Sequence, residues 1–200
     1  MTKQRSLSGG DADPIACARR VAAAIWNAAP VAAALDFDPI DEASRQWRSH
    51  WGAASAPPMS AVTSIMRAHQ ILIARLNEAL VPFELSFARY EALMLLFLSR
   101  RGSLPLGKMG ARLQVHPASV TNLIDGLERF GYATRAPHPS DRRTTLATIT
   151  ERGRAVAEEA TAALNELRFG TAPLRREELT AVTDVLRRLR EGAGDFASHE

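Results

Sequence analysis

The chain has 200 residues, of which 46% are hydrophobic and 24% charged, and a formal net charge of +3 at pH 7. Such proportions belong to an ordinary globular chain of about one domain and exclude a collagen-like, disulfide-stapled or wholly disordered protein. No apolar run reaches the ~20 residues that cross a bilayer; the nearest, Val21 to Leu35, is interrupted by Asn27 and Pro30. Arg19 and Arg20 precede it as in a secretion signal, but it starts too far from the N-terminus, behind Asp11 and Asp13. A single cysteine, Cys17, rules out an internal disulfide and a Cys-rich zinc site and points to a reducing, cytoplasmic location.

The small net charge is unevenly spread. Residues 86–154 hold eleven Lys/Arg against five Asp/Glu, a local charge of +6. Residues 1–85 balance at eight against eight, and residues 155–200 hold six against nine. A basic middle between a neutral and an acidic flank suggests a polyanion-binding module with supporting elements.

In chain order, residues 1–37 form an N-terminal extension, with a frayed start over 1–14 and an Ala-rich helix over 15–29. Residues 38–58 make a short helix and a linker. The helix opens on Pro39-Ile40-Asp41-Glu42 and sets Trp47 and Trp51 on one face; the linker runs from Gly52 to Pro58. From Ser60 to about Val81 the spacing of Val62, Ile65, Met66, His69, Ile73, Leu76 and Leu80 predicts a long amphipathic helix. Ser86 caps a mostly buried helix over Phe87–Arg101, stopped by Gly102. Leu104-Pro105-Leu106 suits an edge strand. Lys108–Leu113 is a brief helix, Gln114-Val115-His116 a turn, and Pro117–Phe130 a second helix that buries Val120, Leu123 or Ile124, and Leu127. Gly131 is a left-handed cap. Two strands, Tyr132–Ala136 and Thr144–Ile149, flank a long basic tip at 137–143. Thr150 caps a helix running to about Phe169, and a last helix spans Glu177–Glu191.

Helix, turn, helix and basic hairpin together make a winged helix-turn-helix over 86–150, in an all-α fold with a small β wing. DNA reading requires small and polar side chains at the start of the second helix, so that its backbone approaches base edges in the major groove. His116, Pro117, Ala118, Ser119, Thr121 and Asn122 occupy that position, and Asn122 matches an adenine's N6 and N7. Lys108, Arg135, Arg142 and Arg143 are placed to meet phosphates, with the tip arginines also suited to a minor groove. Asp141 and Arg143, two apart at the tip, are spaced for a carboxylate to orient a guanidinium.

These segments resemble the MarR family of bacterial transcriptional regulators over about Ser60 to Glu191. The resemblance is carried by Asp141-Arg142-Arg143 leading into Thr144–Thr150 and Gly153, by Val115–Thr121, and by Leu127-Glu128-Arg129-Phe130-Gly131-Tyr132. It implies a MarR-like domain over 59–200, with helices 60–81 and 151–191 forming a dimerisation layer for a homodimer on a double-stranded DNA operator. It implies that Asp141 holds a wing arginine while Arg143 enters the minor groove. It also implies a small aromatic or amphipathic ligand, at a pocket between dimer helices and winged module lined by His69, Met94 and Phe97. By pattern alone those three read as core or pocket wall. Two features depart from the family: Asn122 stands where an arginine is common, and the segment before Met59, with Trp47, His50 and Trp51, lies outside the family pattern.

No Gly-rich phosphate loop or nucleophile–base pairing is recognisable, so no enzyme activity, cofactor or catalytic residue is expected. The five histidines lack metal-ligand spacing, so no metal site is expected either. The expected function is a repressor released by its ligand. Two alternatives remain open: a thiol-based sensor acting through Cys17, and a winged protein-interaction module without DNA.

Overall fold

The computed structural model describes residues 34–197. The helix expected over 15–29 and Cys17 lie outside the described residues. Helix α1 (Pro39–Trp51) starts where the Asp38 carboxylate accepts the Ile40 N–H at 2.8 Å. Gly52, at φ 86°, closes it. The expected linker is mostly helical: a short 3-10 turn, Ala53–Ser55, leads directly into α2 (Ala56–Leu80). Pro57 and Pro58 fall in its first turn, where the missing N–H groups have no intrahelical acceptor to lose.

Helix α3 (Phe87–Phe97) is held at its start by Asn77 of α2, whose Oδ1 accepts the Phe87 N–H at 2.7 Å, and by Ser86 as N-cap. It ends four residues before the expected Arg101. The chain turns through Ser99, whose hydroxyl donates to the Leu96 carbonyl, and then enters β1 (Ser103–Pro105). Next come α4 (Leu106–Leu113), α5 (Pro117–Arg129), β2 (Ala133–His138), β3 (Asp141–Ile149), α6 (Glu151–Glu166) and α7 (Arg176–Gly192).

The three strands form an antiparallel sheet in the order β1-β3-β2, with Leu104 and Arg135 both opposite Ala147. The wing differs from the expected long loop, because β2 extends to His138 and β3 begins at Asp141. Pro137 does not prevent this: β2 is an edge strand, where a residue without an N–H is tolerated, and the register shifts between Pro137 and His138.

One core joins the winged module to the flanking helices: Leu80 of α2, Leu93 and Leu96 of α3, Met109 of α4, Ile124 and Leu127 of α5 and Leu164 of α6. Of the two candidates in α5, Ile124 is fully buried and Leu123 only half-buried. Two tyrosines pin this core to its surroundings. Tyr90 hydrogen-bonds Thr161 of α6 at 3.0 Å, and the Tyr132 hydroxyl donates to the Phe83 carbonyl at 3.1 Å.

At the junction between wing and α6 two backbone segments approach closely. Thr150 caps α6 by accepting the Gly153 N–H at 2.9 Å, while its own hydroxyl donates to the Gly131 carbonyl at 2.7 Å. A Cβ on Gly153 would lie 2.0 Å from the Tyr132 carbonyl oxygen. The Thr-x-x-Gly pattern is thus a steric requirement as well as a helix start.

The apolar stripes of the outer helices divide. Leu76, expected at a subunit interface, is buried within the single chain. Val62, Ile65 and Met66 in the first half of α2 are exposed, as are Val182, Val185 and Leu189 of α7, a helix with no buried residue. Among the described residues no helix is long and apolar enough to cross a membrane.

Candidate nucleic-acid interface

The turn between α4 and α5 is built from Gln114, which takes a left-handed conformation (φ 54°, ψ 41°) and ends α4. Val115 then donates its N–H back to the Gly110 carbonyl at 3.2 Å. His116 is extended and caps α5, its Nδ1 accepting the Ala118 N–H at 3.2 Å. Pro117 follows at the first helical position. Val120, Ile124 and Leu127 point into the core, so the opposite side of the helix start faces solvent. His116, Pro117, Ala118, Ser119, Thr121 and Asn122 are all exposed there, and Lys108 is exposed on α4. Thr121 uses its hydroxyl to donate to the Pro117 carbonyl at 3.3 Å.

At the wing, Asp141 organises the turn. Its Oδ1 accepts the Arg143 backbone N–H at 3.1 Å and meets the Arg143 Nε at 3.4 Å; its Oδ2 accepts the Thr144 hydroxyl at 2.9 Å. The Thr144 hydroxyl, then the Arg143 N–H, hold the Asp141 carboxyl below its usual range, and the guanidinium adds less. Asp141 therefore fixes the backbone from which Arg143 projects more than it fixes the guanidinium, and the Arg143 side chain is 94% exposed. Thr144 was not identified from the sequence, although an Asp followed three residues later by Thr at a turn carries that signal. The side chain of Arg142 lies outside the described residues.

Arg135 is paired within the module. Its Nη2 bridges Asp125 Oδ1 at 2.6 Å and Glu128 Oε2 at 2.7 Å, both on α5. The hydrogen bond with Glu128 is the main cause that raises its pKa.

The expected ligand-pocket residues differ in exposure. His69 is exposed on α2, whereas Met94 and Phe97 are half-buried against the core. Met94 is engaged across α3 and α6, its sulfur accepting the Thr161 hydroxyl at 3.6 Å. Among the described residues, no three His, Cys, Asp or Glu side chains form a metal-binding group.

Comparison with known proteins places this module. The profile of the MarR family matches residues 88–145, from α3 to the wing. The crystal structure of Sco5413, a MarR family transcriptional regulator from Streptomyces coelicolor, is 48% identical, with a TM-score of 0.66 over 71% of this chain and 99% of that one. Sco3205, a MarR family regulator from the same organism solved in complex with DNA, shares the fold at 21% identity and a TM-score of 0.61, over 66% of this chain and 84% of that one. Among curated relatives, the uncharacterized HTH-type transcriptional regulator YhbI of Bacillus subtilis is 34% identical over 85 residues. That match covers 42% of this chain and 54% of the relative, so the chain spans about half the length of that protein.

Proposed function

Because this chain belongs to the MarR family, we propose that it is a sequence-specific DNA-binding transcriptional regulator that acts as a homodimer on a pseudo-palindromic operator. The observation that carries this reading is the pairing of an exposed small-and-polar helix start, His116–Asn122, with a hydrogen-bonded wing turn that projects Arg143. The first suits the major groove, the second a narrow and electronegative minor groove. Ser119 and Asn122 read bases; Pro117 and Ala118 allow close approach; His116, Lys108 and Arg142 supply affinity for the DNA backbone.

The exposed stripes of α2 and α7 call for a partner, and a second copy buries Val62, Met66, Val185 and Leu189 against their symmetry mates. The two recognition helices then reach successive major grooves, about 34–36 Å apart. A small aromatic or amphipathic ligand near His69, Met94 and Phe97 releases the operator by favouring a dimer arrangement with another spacing, since a ligand shifts only an equilibrium between states that it binds unequally. The protein is a cytoplasmic, non-catalytic repressor in this reading.

The test is a titration of duplex DNA by fluorescence anisotropy across a range of salt concentrations. The reading expects log K to fall steeply with log salt. Salt-independent affinity, or no binding to any duplex, contradicts it.

A further inference from the structure

We propose that Arg135 is a positioning residue, a clamp that fixes the wing to the recognition helix so that both enter DNA as one unit; this rests on the DNA-binding reading above. Three observations carry it. Arg135 is the third residue of β2 and lies opposite Ala147, on the same strand side as buried Ala133. The side chain therefore leaves the sheet on the face turned towards the helices. Asp125 and Glu128, three apart, share one face of α5. A single guanidinium nitrogen spans both, at 2.6 and 2.7 Å.

The clamp sits where leverage is greatest. β2 leaves α5 through only a few residues, and the turn that carries Arg143 lies about 10 Å further along the strand at ~3.3 Å per residue. A small rotation at Arg135 is a larger displacement at the tip. Direct contact with a DNA phosphate is the competing role, and the geometry opposes it. Releasing Arg135 would leave two carboxylates without their cation on the helix that enters a polyanion.

The two roles predict opposite signs for one substitution. Asp125→Asn with Glu128→Gln removes two negative charges per protomer and frees a cation, so plain electrostatics demands tighter binding to every DNA. The clamp demands weaker binding to the operator alone. The experiment measures affinity of the full-length protein for a selected operator and for random-sequence duplex, at several salt concentrations, beside hydrogen exchange of the wing amides. We expect the double variant to lose roughly five-fold in operator affinity while random-sequence affinity holds or rises. Arg135→Ala should show a similar operator loss with an unchanged salt slope, and in both variants the amides of residues 141–145 should exchange faster. Operator affinity that is equal or tighter in the double variant overturns the clamp. So does a salt slope shallower by about 1 per protomer in Arg135→Ala, the mark of a phosphate contact, or unchanged wing exchange in either variant. A wild-type protein that binds no duplex overturns the DNA-binding reading instead, and the exchange data still decide whether Arg135 orders the wing.

Discussion

Replacing Gly153 by Ala tests the joint between the wing and the dimer helices without touching any DNA-facing side chain. The added Cβ would lie 2.0 Å from the Tyr132 carbonyl oxygen and 3.0 Å from Ile149 Cγ1, whereas ordinary contact begins near 3.4 Å. The nearest obstacle is backbone, so no side-chain rotation relieves it; the first turn of α6 must move away from Tyr132. That movement stretches the Thr150 hydrogen bonds to Gly153 and Gly131. Overpacking of this kind costs about 3 kcal/mol at the upper end of its usual range, and the better helix propensity of alanine offsets about 1 kcal/mol. The net destabilisation is about 2 kcal/mol, or roughly 4–8 °C in Tm for a chain of this size. Guanidinium unfolding followed by circular dichroism, at one fixed protomer concentration because dimerisation contributes to stability, measures it. A variant as stable as wild type, or more stable by the ~1 kcal/mol that alanine gives in an open helix, refutes the argument.

Asn122→Ala should relax base preference at one symmetric position per half-site, by about 1–3 kcal/mol for that base pair, read by competition between operator variants; a uniform loss on all sequences contradicts direct readout. Arg142→Ala should instead weaken all sequences alike and make the salt slope shallower. Arg143→Ala and Asp141→Ala should both weaken operator binding while leaving Tm nearly unchanged, as befits an exposed ion pair. In a double-mutant cycle their losses should be far from additive, with a residual effect of Asp141 through Thr144. The Asp141 contribution should be complete above about pH 5 and fade only as pH falls through and below the unfolded carboxyl value of about 3.9, because its folded pKa is lowered; wing exchange that loosens already between pH 7 and 5 contradicts this. Leu189→Asp, placed on the exposed stripe of α7, should leave an unpaired charge in the dimer interface, cost several kcal/mol and yield monomers in sedimentation; an undisturbed dimer excludes this face from the interface.

Local rules made the helix-turn-helix legible. Pro117 at a helix start, Gly131 as a left-handed cap (φ 72°) and Thr150 with Gly153 were each identifiable because one residue type satisfies one backbone demand. The errors arose where tertiary context overrode a local signal. Gly52 to Pro58 contains residues that often break structure, yet Pro57 and Pro58 sit in a helix's first turn, the one place it accepts them. Pro137 and Pro139 suggested a loop, but an edge strand and a two-residue turn accommodate them. Periodicity assigned Leu76 and His69 to one stripe without distinguishing the end of α2 that enters the core from the end that stays exposed. A basic count along the chain likewise carries no information about which cations are paired across space, as Arg135 is with Asp125 and Glu128.

Selection of bound duplexes from a random DNA library tests the central claim most directly, since it examines DNA binding, symmetry and spacing together. The account predicts enrichment of an inverted repeat whose half-site centres lie one helical turn apart, about 34–36 Å. A library that stays unenriched, or that yields only a single unrepeated half-site at every protein concentration, contradicts it.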